Sequence, residues 1–239
     1  LTWRAFERHY SLTTYEQLIS KLDSTIPVYP DWIKGIACAL GSAGLAFLYS
    51  GDMIAFIVTV ICSLIGYFGR TLSVRFGCNE YVGIAIGGFA AMVSAYGFYS
   101  HIEQASLVYV LVCCTLFMIP GVPLINAVID TINNHILSGI TRAIRTILIV
   151  GSMTLGMAMA LYFSPMPAFS FVDIKPHVLS VEQIIGSFMA AASFAVLFNA
   201  PVRLLLSIGI GGVLCVFIRN LLAVEFGFSI PGATFVGAA

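Results

Sequence analysis

The stretch MIPGVPLINAVIDTINNHILSG, residues 118–139, decides how the fourth apolar segment of this chain is built. It continues an apolar run that begins near Ala105, yet it holds two prolines and a glycine. Residues 105–119 would form about 22 Å of helix, too short to cross a bilayer, whereas residues 105–132 would form about 42 Å, too long for one straight span. Proline removes a backbone donor and glycine admits unusual backbone angles. We therefore predict that the helix breaks at PGVP and restarts as a half-helix at Pro123, a residue suited to a first helical turn.

The composition indicates that the remaining apolar segments also cross a membrane. Apolar residues make up 59% of the chain, charged residues 9%, and the mean hydropathy is +1.00. A soluble domain would carry about 25% charged residues. Charge-free runs of the kind that span bilayers recur, at Gly35–Gly51, Met53–Gly69, Tyr81–Ser100 and Gln183–Val202. The sequence predicts an all-α, polytopic membrane protein in contact with a lipid bilayer.

The predicted spans arrange themselves into one complete module and the start of another. They cover 32–50, 53–69, 80–100, 105–132, 144–163, 181–199, 203–220 and a segment from about 229. The predicted domains are a cytoplasmic amphipathic segment at 1–31, a five-span module at 32–163, an outer loop at 164–180, and the start of a second module at 181–239. Because the chain begins at Leu1 and ends within an apolar run, we expect it to be part of a longer protein.

Charge and internal similarity predict how these modules are oriented. Nine of the eleven Lys and Arg residues flank one side of the predicted spans, and positive loops stay in the cytoplasm, so we expect a cytoplasmic N-terminus in the inner membrane. Shifting the chain by 149 residues lays 43–52 over 192–201 and Arg70 over Arg219. Five spans separate the two copies, so we expect the second module to be an inverted repeat of the first.

The broken span is the candidate binding site for a small solute. A half-helix N-terminus offers N–H groups to a carboxylate, and the freed carbonyls before the break offer acceptors to an ammonium. Asp130 lies on the same helix face as Asn126, so it is the candidate proton carrier, with Arg142 as its candidate charge partner. In the alternative interpretation the break only ends the span, and Asp130 is solvated in the loop beyond it. The candidate substrate-binding residues are Pro120, Gly121, Pro123, Asn126 and Asn199.

His135 and the segment FNAPVR lie near the cytoplasmic side, and each has both a functional and a purely structural interpretation. His135 is a candidate for proton exchange, because histidine is the residue type best suited to proton transfer near neutral pH, although a lone histidine in a polar loop is usually just solvated. In FNAPVR, residues 198–203, Pro201 and Arg203 fit a tight turn between two spans, and Arg203 is also a candidate charge partner. The role of Asn199 stays open between that turn and substrate binding.

Several other classes of function find no support in the sequence. The six cysteines lie in or beside apolar runs without metal-ligand spacing, which favours packing roles for them and predicts no metal or cofactor. No nucleophile elbow, zinc-protease or phosphate-binding motif is present, so we predict that the protein is not an enzyme. A net charge of zero argues against a nucleic-acid partner. The oligomeric state stays open.

Three motifs resemble those of the threonine/serine exporter family. PGVPLINAVID followed by HILSGITR resembles the motif that closes the family's first conserved module, YPDWIKGIACALGSAGLAFLYSGD resembles its first span, and FAVLFNAPVRLL resembles the start of its second module. The resemblance implies the fused two-module form, here without the N-terminal cytoplasmic region and the last helices. It also implies export of threonine and serine driven by the proton gradient. A two-subunit branch of the family is associated with succinate instead, and a membrane channel or scaffold that transports nothing is a further alternative.

Overall fold

The computed structural model describes residues 16–17, 29–50, 52–98, 104–164 and 180–238. Most of the segment predicted to be amphipathic within 1–31, and most of the predicted outer loop at 164–180, lie outside these residues. The described ranges are helical apart from turns and short connections, which confirms the all-α prediction. The helices are α1 Asp31–Ser50, α2 Met53–Arg75, α3 Glu80–Gly97, α4 Gln104–Cys113, a 3₁₀ helix at Leu116–Met118, α5 Gly121–Ile132, α6 Ile136–Phe163, α7 Val181–Leu197, α8 Val202–Glu225 and α9 Ile230–Ala238.

Within the described ranges, four helices are long and apolar enough to cross a membrane, namely α1, α2, α6 and α8. The bent pair of α4 with its 3₁₀ turn and α5 adds a fifth span if it is counted as one. The chain is therefore a multi-pass membrane protein, as predicted. Helices α2 and α8 run one turn or more beyond the predicted ends, to Arg75 and Glu225. The prediction stopped them near the first charged residue, but long side chains let a helix continue into the polar region.

Polar side chains fix where several of these helices begin. Asp52 accepts a hydrogen bond from the Ile54 N–H at 2.9 Å and starts α2. Asn79 accepts one from the Tyr81 N–H at 3.1 Å and starts α3. Ser180 starts α7 through a capping box with Gln183. Each cap satisfies an N–H group that the helix itself leaves unpaired, so the turns between spans are set by short local sequence signals.

The first module packs around small buried side chains contributed by α2, α3, α4 and α6. This core includes Cys62 and Cys114, which are fully buried among alanines, valines and leucines. Cys38 and Cys113 are buried as well, so the packing role predicted for cysteine fits these four residues. Cys78 is exposed in the turn between α2 and α3, so the packing role is wrong for that residue. Small side chains let the helices approach closely, as is usual in membranes.

The two modules meet where α1 crosses α7. A Cβ added to Gly44 would lie 2.8 Å from the Gly186 carbonyl oxygen and 2.9 Å from the Ala190 nitrogen, and one added to Gly41 would lie 3.2 Å from the Ser193 Cβ. The residue earlier on α1, Gly41, contacts the residue later on α7, Ser193, so the two helices run antiparallel. The shift of 149 residues exchanges Gly41 with Ala190 and Gly44 with Ser193. Applied to the contact between Gly44 and Ala190, the shift gives the contact between Ser193 and Gly41, which is also present. This symmetry is expected for two inverted copies.

A second crossing also occurs in both copies. In the first module, a Cβ added to Gly87 on α3 would lie 2.8 Å from the Gly66 carbonyl oxygen and 2.9 Å from the Arg70 Cβ on α2. In the second module, a Cβ added to Gly237 on α9 would lie 2.9 Å from the Cys215 carbonyl oxygen and 3.3 Å from the Arg219 nitrogen on α8. Cys215 and Arg219 are the counterparts of Gly66 and Arg70 under the same shift, whereas Gly237 is offset by one residue from the counterpart of Gly87. Helices α7 to α9 therefore repeat α1 to α3.

Candidate functional site

The fourth apolar segment is broken where the sequence predicts. Residues Leu107–Met118 and Gly121–Ile132 are bent by 55° relative to each other. Pro120 has φ −80° and ψ 61°, and the Gly121 N–H donates to the Ile119 carbonyl at 2.9 Å, which together form an inverse γ-turn. The half-helix starts at Gly121, two residues earlier than predicted. Gly121 is not among the described residues with positive φ, so the break depends on the prolines and not on glycine's conformational freedom.

Most backbone groups freed by this break already have partners within the protein. The Cys114 carbonyl accepts from the Ser63 hydroxyl at 3.4 Å, and the Val112 carbonyl accepts from the Thr115 hydroxyl at 3.0 Å. At the start of α5, the Gly121 and Leu124 N–H groups donate to nearby carbonyls. Pro123 has no N–H. The half-helix end therefore offers a ligand fewer polar groups than the sequence suggests.

Asp130 on α5 and Arg142 on α6 form an ion pair. The Arg142 Nε lies 3.1 Å from Asp130 Oδ2, and the Ser138 hydroxyl donates to the same oxygen at 2.7 Å. The Asp130 side chain is 21% exposed and that of Arg142 is 47% exposed. Asn126 is half-buried one turn earlier on α5, while His135 is exposed in the turn between the two helices. The α5–α6 hairpin therefore brings a shielded carboxylate and a cation together, as the sequence suggested, and their role in proton coupling stays a prediction.

Asn199 lies in the turn after α7, away from that ion pair. It has φ 56°, and the Ala200 N–H donates to the Ala195 carbonyl at 2.9 Å while the Asn199 N–H donates to the Val196 carbonyl at 3.0 Å. This is the Schellman arrangement, in which asparagine tolerates the left-handed conformation. Arg203 is exposed on the first turn of α8. The local backbone therefore accounts for an asparagine at 199, and the tight-turn interpretation of FNAPVR fits the geometry.

An open cavity of about 630 Å³ lies beside the broken span. Phe117 from the 3₁₀ turn forms part of its wall, and Leu197 and Phe198 from the end of α7 form another part. Neither Asn126 nor Asp130 belongs to its lining. The polar and charged lining residues are Asp31, Lys34, Tyr67, Arg70, Thr71, Arg75 and Glu80.

The cavity carries more positive than negative charge. Arg75 pairs with Asp31 at 2.7 Å, and Glu80 is shared by Arg70 at 3.5 Å and Arg145 at 3.0 Å. The lining itself holds three cations, Lys34, Arg70 and Arg75, against these two carboxylates, and Arg145, outside the lining, brings the cations at this face to four. The sequence interpretation used Arg70 and Lys34 only to orient the spans. The sequence signal for this cluster was the overlay of Arg70 on Arg219. Placing a charge in an apolar span costs free energy, so a charge at the same position in two spans suggests a function.

The comparisons with known proteins agree with this architecture. The family described as "Putative threonine/serine exporter" matches residues 1–164, and the one described as "Threonine/Serine exporter, ThrE" matches residues 183–239. A curated protein of Klebsiella aerogenes, named "Probable succinate transporter subunit YjjP", is 26% identical over 161 residues. That alignment spans 64% of this chain and 60% of the relative. No solved structure matches. Because the first family match covers well over half of the chain, this chain belongs to the threonine/serine exporter family, a family of membrane transporters.

Proposed function

We propose that this chain is part of a secondary transporter that exports small hydrophilic amino acids, threonine and serine above all, by proton antiport. The observation that carries the proposal is the charged cavity at the ends of α1, α2 and α3, beside a broken span and between inverted repeats. Secondary transporters bind their solutes where broken helices and repeats meet. An amino-acid carboxylate suits the arginines and lysine of the cavity, and Asp31 or Glu80 suits the ammonium group.

We place the protein in the inner membrane with its N-terminus in the cytoplasm. The ion pairs of Arg75 with Asp31, and of Arg70 and Arg145 with Glu80, bring the starts of α1, α3 and α6 and the end of α2 to one end of the bundle. Clustering of basic residues at a single end is the pattern of a cytoplasmic face. The cavity then opens towards the cytoplasm, which is the side from which an exporter loads its solute.

In this proposal the α5–α6 hairpin couples proton movement to transport. Asp130 exchanges its partner Arg142 for a proton when the hairpin moves, because a carboxylate that loses its cation and is shielded from water favours the protonated form. His135 delivers protons from the solvent side. The PGVP break, with Pro120, Gly121 and Pro123, gives α5 a hinge relative to α4. Asn126 and Asn199 do not line the cavity in this conformation, so they would donate hydrogen bonds to the solute only after the hinge moves.

Export of a dicarboxylate is the second candidate function. Two observations favour it: the relative's name refers to succinate, and the cavity lining holds three cations against two carboxylates. Succinate needs two cationic partners. Arg70 and Lys34 in the cavity supply them more directly than Arg142 or Arg203, which do not line it.

The deciding experiment uses the full-length protein, purified and reconstituted into proteoliposomes. Vesicles loaded with unlabelled threonine, serine or succinate are given the labelled solute outside, and counterflow is measured against empty liposomes. We expect exchange of threonine and serine. Exchange of succinate alone would favour the second candidate. No exchange of any of the three would reject transport of these solutes and leave the channel or scaffold alternative.

A further inference from the structure

The cavity has a structural counterpart in the second module. The shift of 149 residues that relates the two crossings described above also relates three polar positions. In each module one of these positions lies on the first turn of the first helix, and two lie next to each other near the end of the second helix. The equivalent pairs are Lys34 with Gln183, Arg70 with Arg219, and Thr71 with Asn220.

In the first module these side chains face open space. Lys34, Arg70 and Thr71 all line the 630 Å³ cavity. Arg70 is 32% exposed and lies 3.5 Å from Glu80, a carboxylate that is closer to Arg145. Lys34 makes no ion pair with the residues the structure describes. The Thr71 hydroxyl donates to the Tyr67 carbonyl at 2.8 Å, so the donors available to a ligand are those of Lys34 and Arg70.

In the second module the equivalent side chains form hydrogen bonds with one another. The Arg219 Nε and Nη2 donate to Asn220 Oδ1 at 3.2 and 3.1 Å, and Asn220 Nδ2 donates to Gln183 Oε1 at 2.9 Å. Asn220 is only 3% exposed. This chain of hydrogen bonds ties the start of α7 to the last third of α8. In the second module, protein side chains therefore occupy the position that corresponds to the open cavity of the first module.

We propose that Arg70, with Lys34, binds the carboxylate group of the transported solute at one membrane face, and that Arg219, Asn220 and Gln183 form the matching site at the opposite face. This inference rests on the proposed transport function. A guanidinium offers two parallel N–H groups that fit a carboxylate, and lysine adds a second charge for a dicarboxylate. Inverted repeats exchange conformations during transport, so the outer cluster opens when the inner cavity closes.

Transport assays with one-sided substrate test this directly. The full-length protein is reconstituted with known orientation, and the apparent KM for threonine and for succinate is measured at each face. Losing a charged hydrogen bond to a carboxylate weakens binding by about tenfold or more. Arg70→Gln should raise the KM at the cavity face by about that factor and leave the KM at the other face nearly unchanged. Arg219→Gln should have the reverse effect.

Two further variants keep the test decisive. Arg145→Gln removes a positive charge from the same face without belonging to the cavity lining, so it should shift KM by less than about twofold through the loss of general charge attraction. Lys34→Gln lies at a half-exposed position near a helix start and should fold even if Arg70→Gln does not. It should raise the KM for succinate more than that for threonine.

The results separate this inference from the proposed function. If the wild-type protein exchanges neither solute, the transport proposal fails. If it does exchange them, but Arg70→Gln and Lys34→Gln leave the KM at the cavity face unchanged or shift both faces equally, the carboxylate site is wrong while transport stands.

Discussion

Replacing Asp130 with asparagine separates proton coupling from solute movement. The amide keeps the shape of the side chain and can still accept a hydrogen bond from Ser138, now 2.7 Å from Oδ2. It cannot pair electrostatically with Arg142, whose side chain is 47% exposed. Exposed pairs contribute about 0.2–1 kcal/mol to stability, so the Asp130→Asn protein should unfold at nearly the wild-type temperature.

The expected effect on coupling is much larger than the effect on stability. If one proton is exchanged per solute, a pH difference of one unit can sustain a solute gradient of about tenfold, equivalent to about 1.4 kcal/mol. Wild-type proteoliposomes should therefore build up threonine or succinate about tenfold per pH unit. Asp130→Asn should build up none, while counterflow at equal pH, which needs no net proton movement, should continue.

The control is Glu225→Gln, which removes an exposed carboxylate at the end of α8, outside the cavity lining. Coupled accumulation should survive in this variant. If Asp130→Asn accumulated solute with the wild-type pH dependence, the carboxylate of Asp130 would have only a structural role. Equal loss of counterflow and accumulation would instead indicate a folding defect, to be checked by thermal unfolding in detergent.

Three other variants test the turn, the module contact and the topology. Asn199→Ala should lower the free energy of unfolding by about 1 kcal/mol and Asn199→Gly should not, because glycine adopts the left-handed backbone conformation without strain and alanine does not. A loss of binding in both variants would support a contact between Asn199 and the solute. Gly186→Leu should destabilise the fold by about 1–3 kcal/mol in thermal unfolding, because the new side chain meets the Gly44 carbonyl, and unchanged stability would show that the helices can separate. Ser138→Cys should react with impermeant thiol reagents only from inside and Lys175→Cys only from outside, and the opposite result would reverse the topology.

The sequence predicts well the features that depend on local chemistry. Long charge-free runs predicted the helices, and two prolines predicted the break, because a missing donor acts on its own turn wherever the helix packs. The prediction was less good where local and tertiary effects compete. Gly121 was expected to supply backbone freedom that the structure does not use. The freed groups around the break were expected to face a ligand, but Ser63 and Thr115 satisfy two of the carbonyls.

The charged cavity could not be derived from sequence spacing. Asp31 and Arg75 are far apart in sequence and form an ion pair only because α1 and α2 are antiparallel neighbours. Glu80 and Arg145 come together only through the packing of α3 on α6. Neither pair follows a helical or strand period. The internal repeat was the one sequence signal that pointed to Arg70, and its meaning depends on the inverted arrangement seen in three dimensions.

The unequal charges of the two repeats bear on the direction of transport. At one face, four cations surround two carboxylates, whereas at the other face one arginine is joined by two neutral amides. A carboxylate solute should therefore bind more tightly at the first face than at the second. With that face in the cytoplasm, the solute would load at lower concentration inside and leave readily outside. The asymmetry cannot supply free energy, since a site without coupling only speeds the approach to equilibrium. In the proposed mechanism the driving force comes from proton exchange at Asp130, and the two faces only set the working concentrations. Exchange of Lys34 for Gln should then weaken loading from inside without changing the gradient that a given pH difference can sustain.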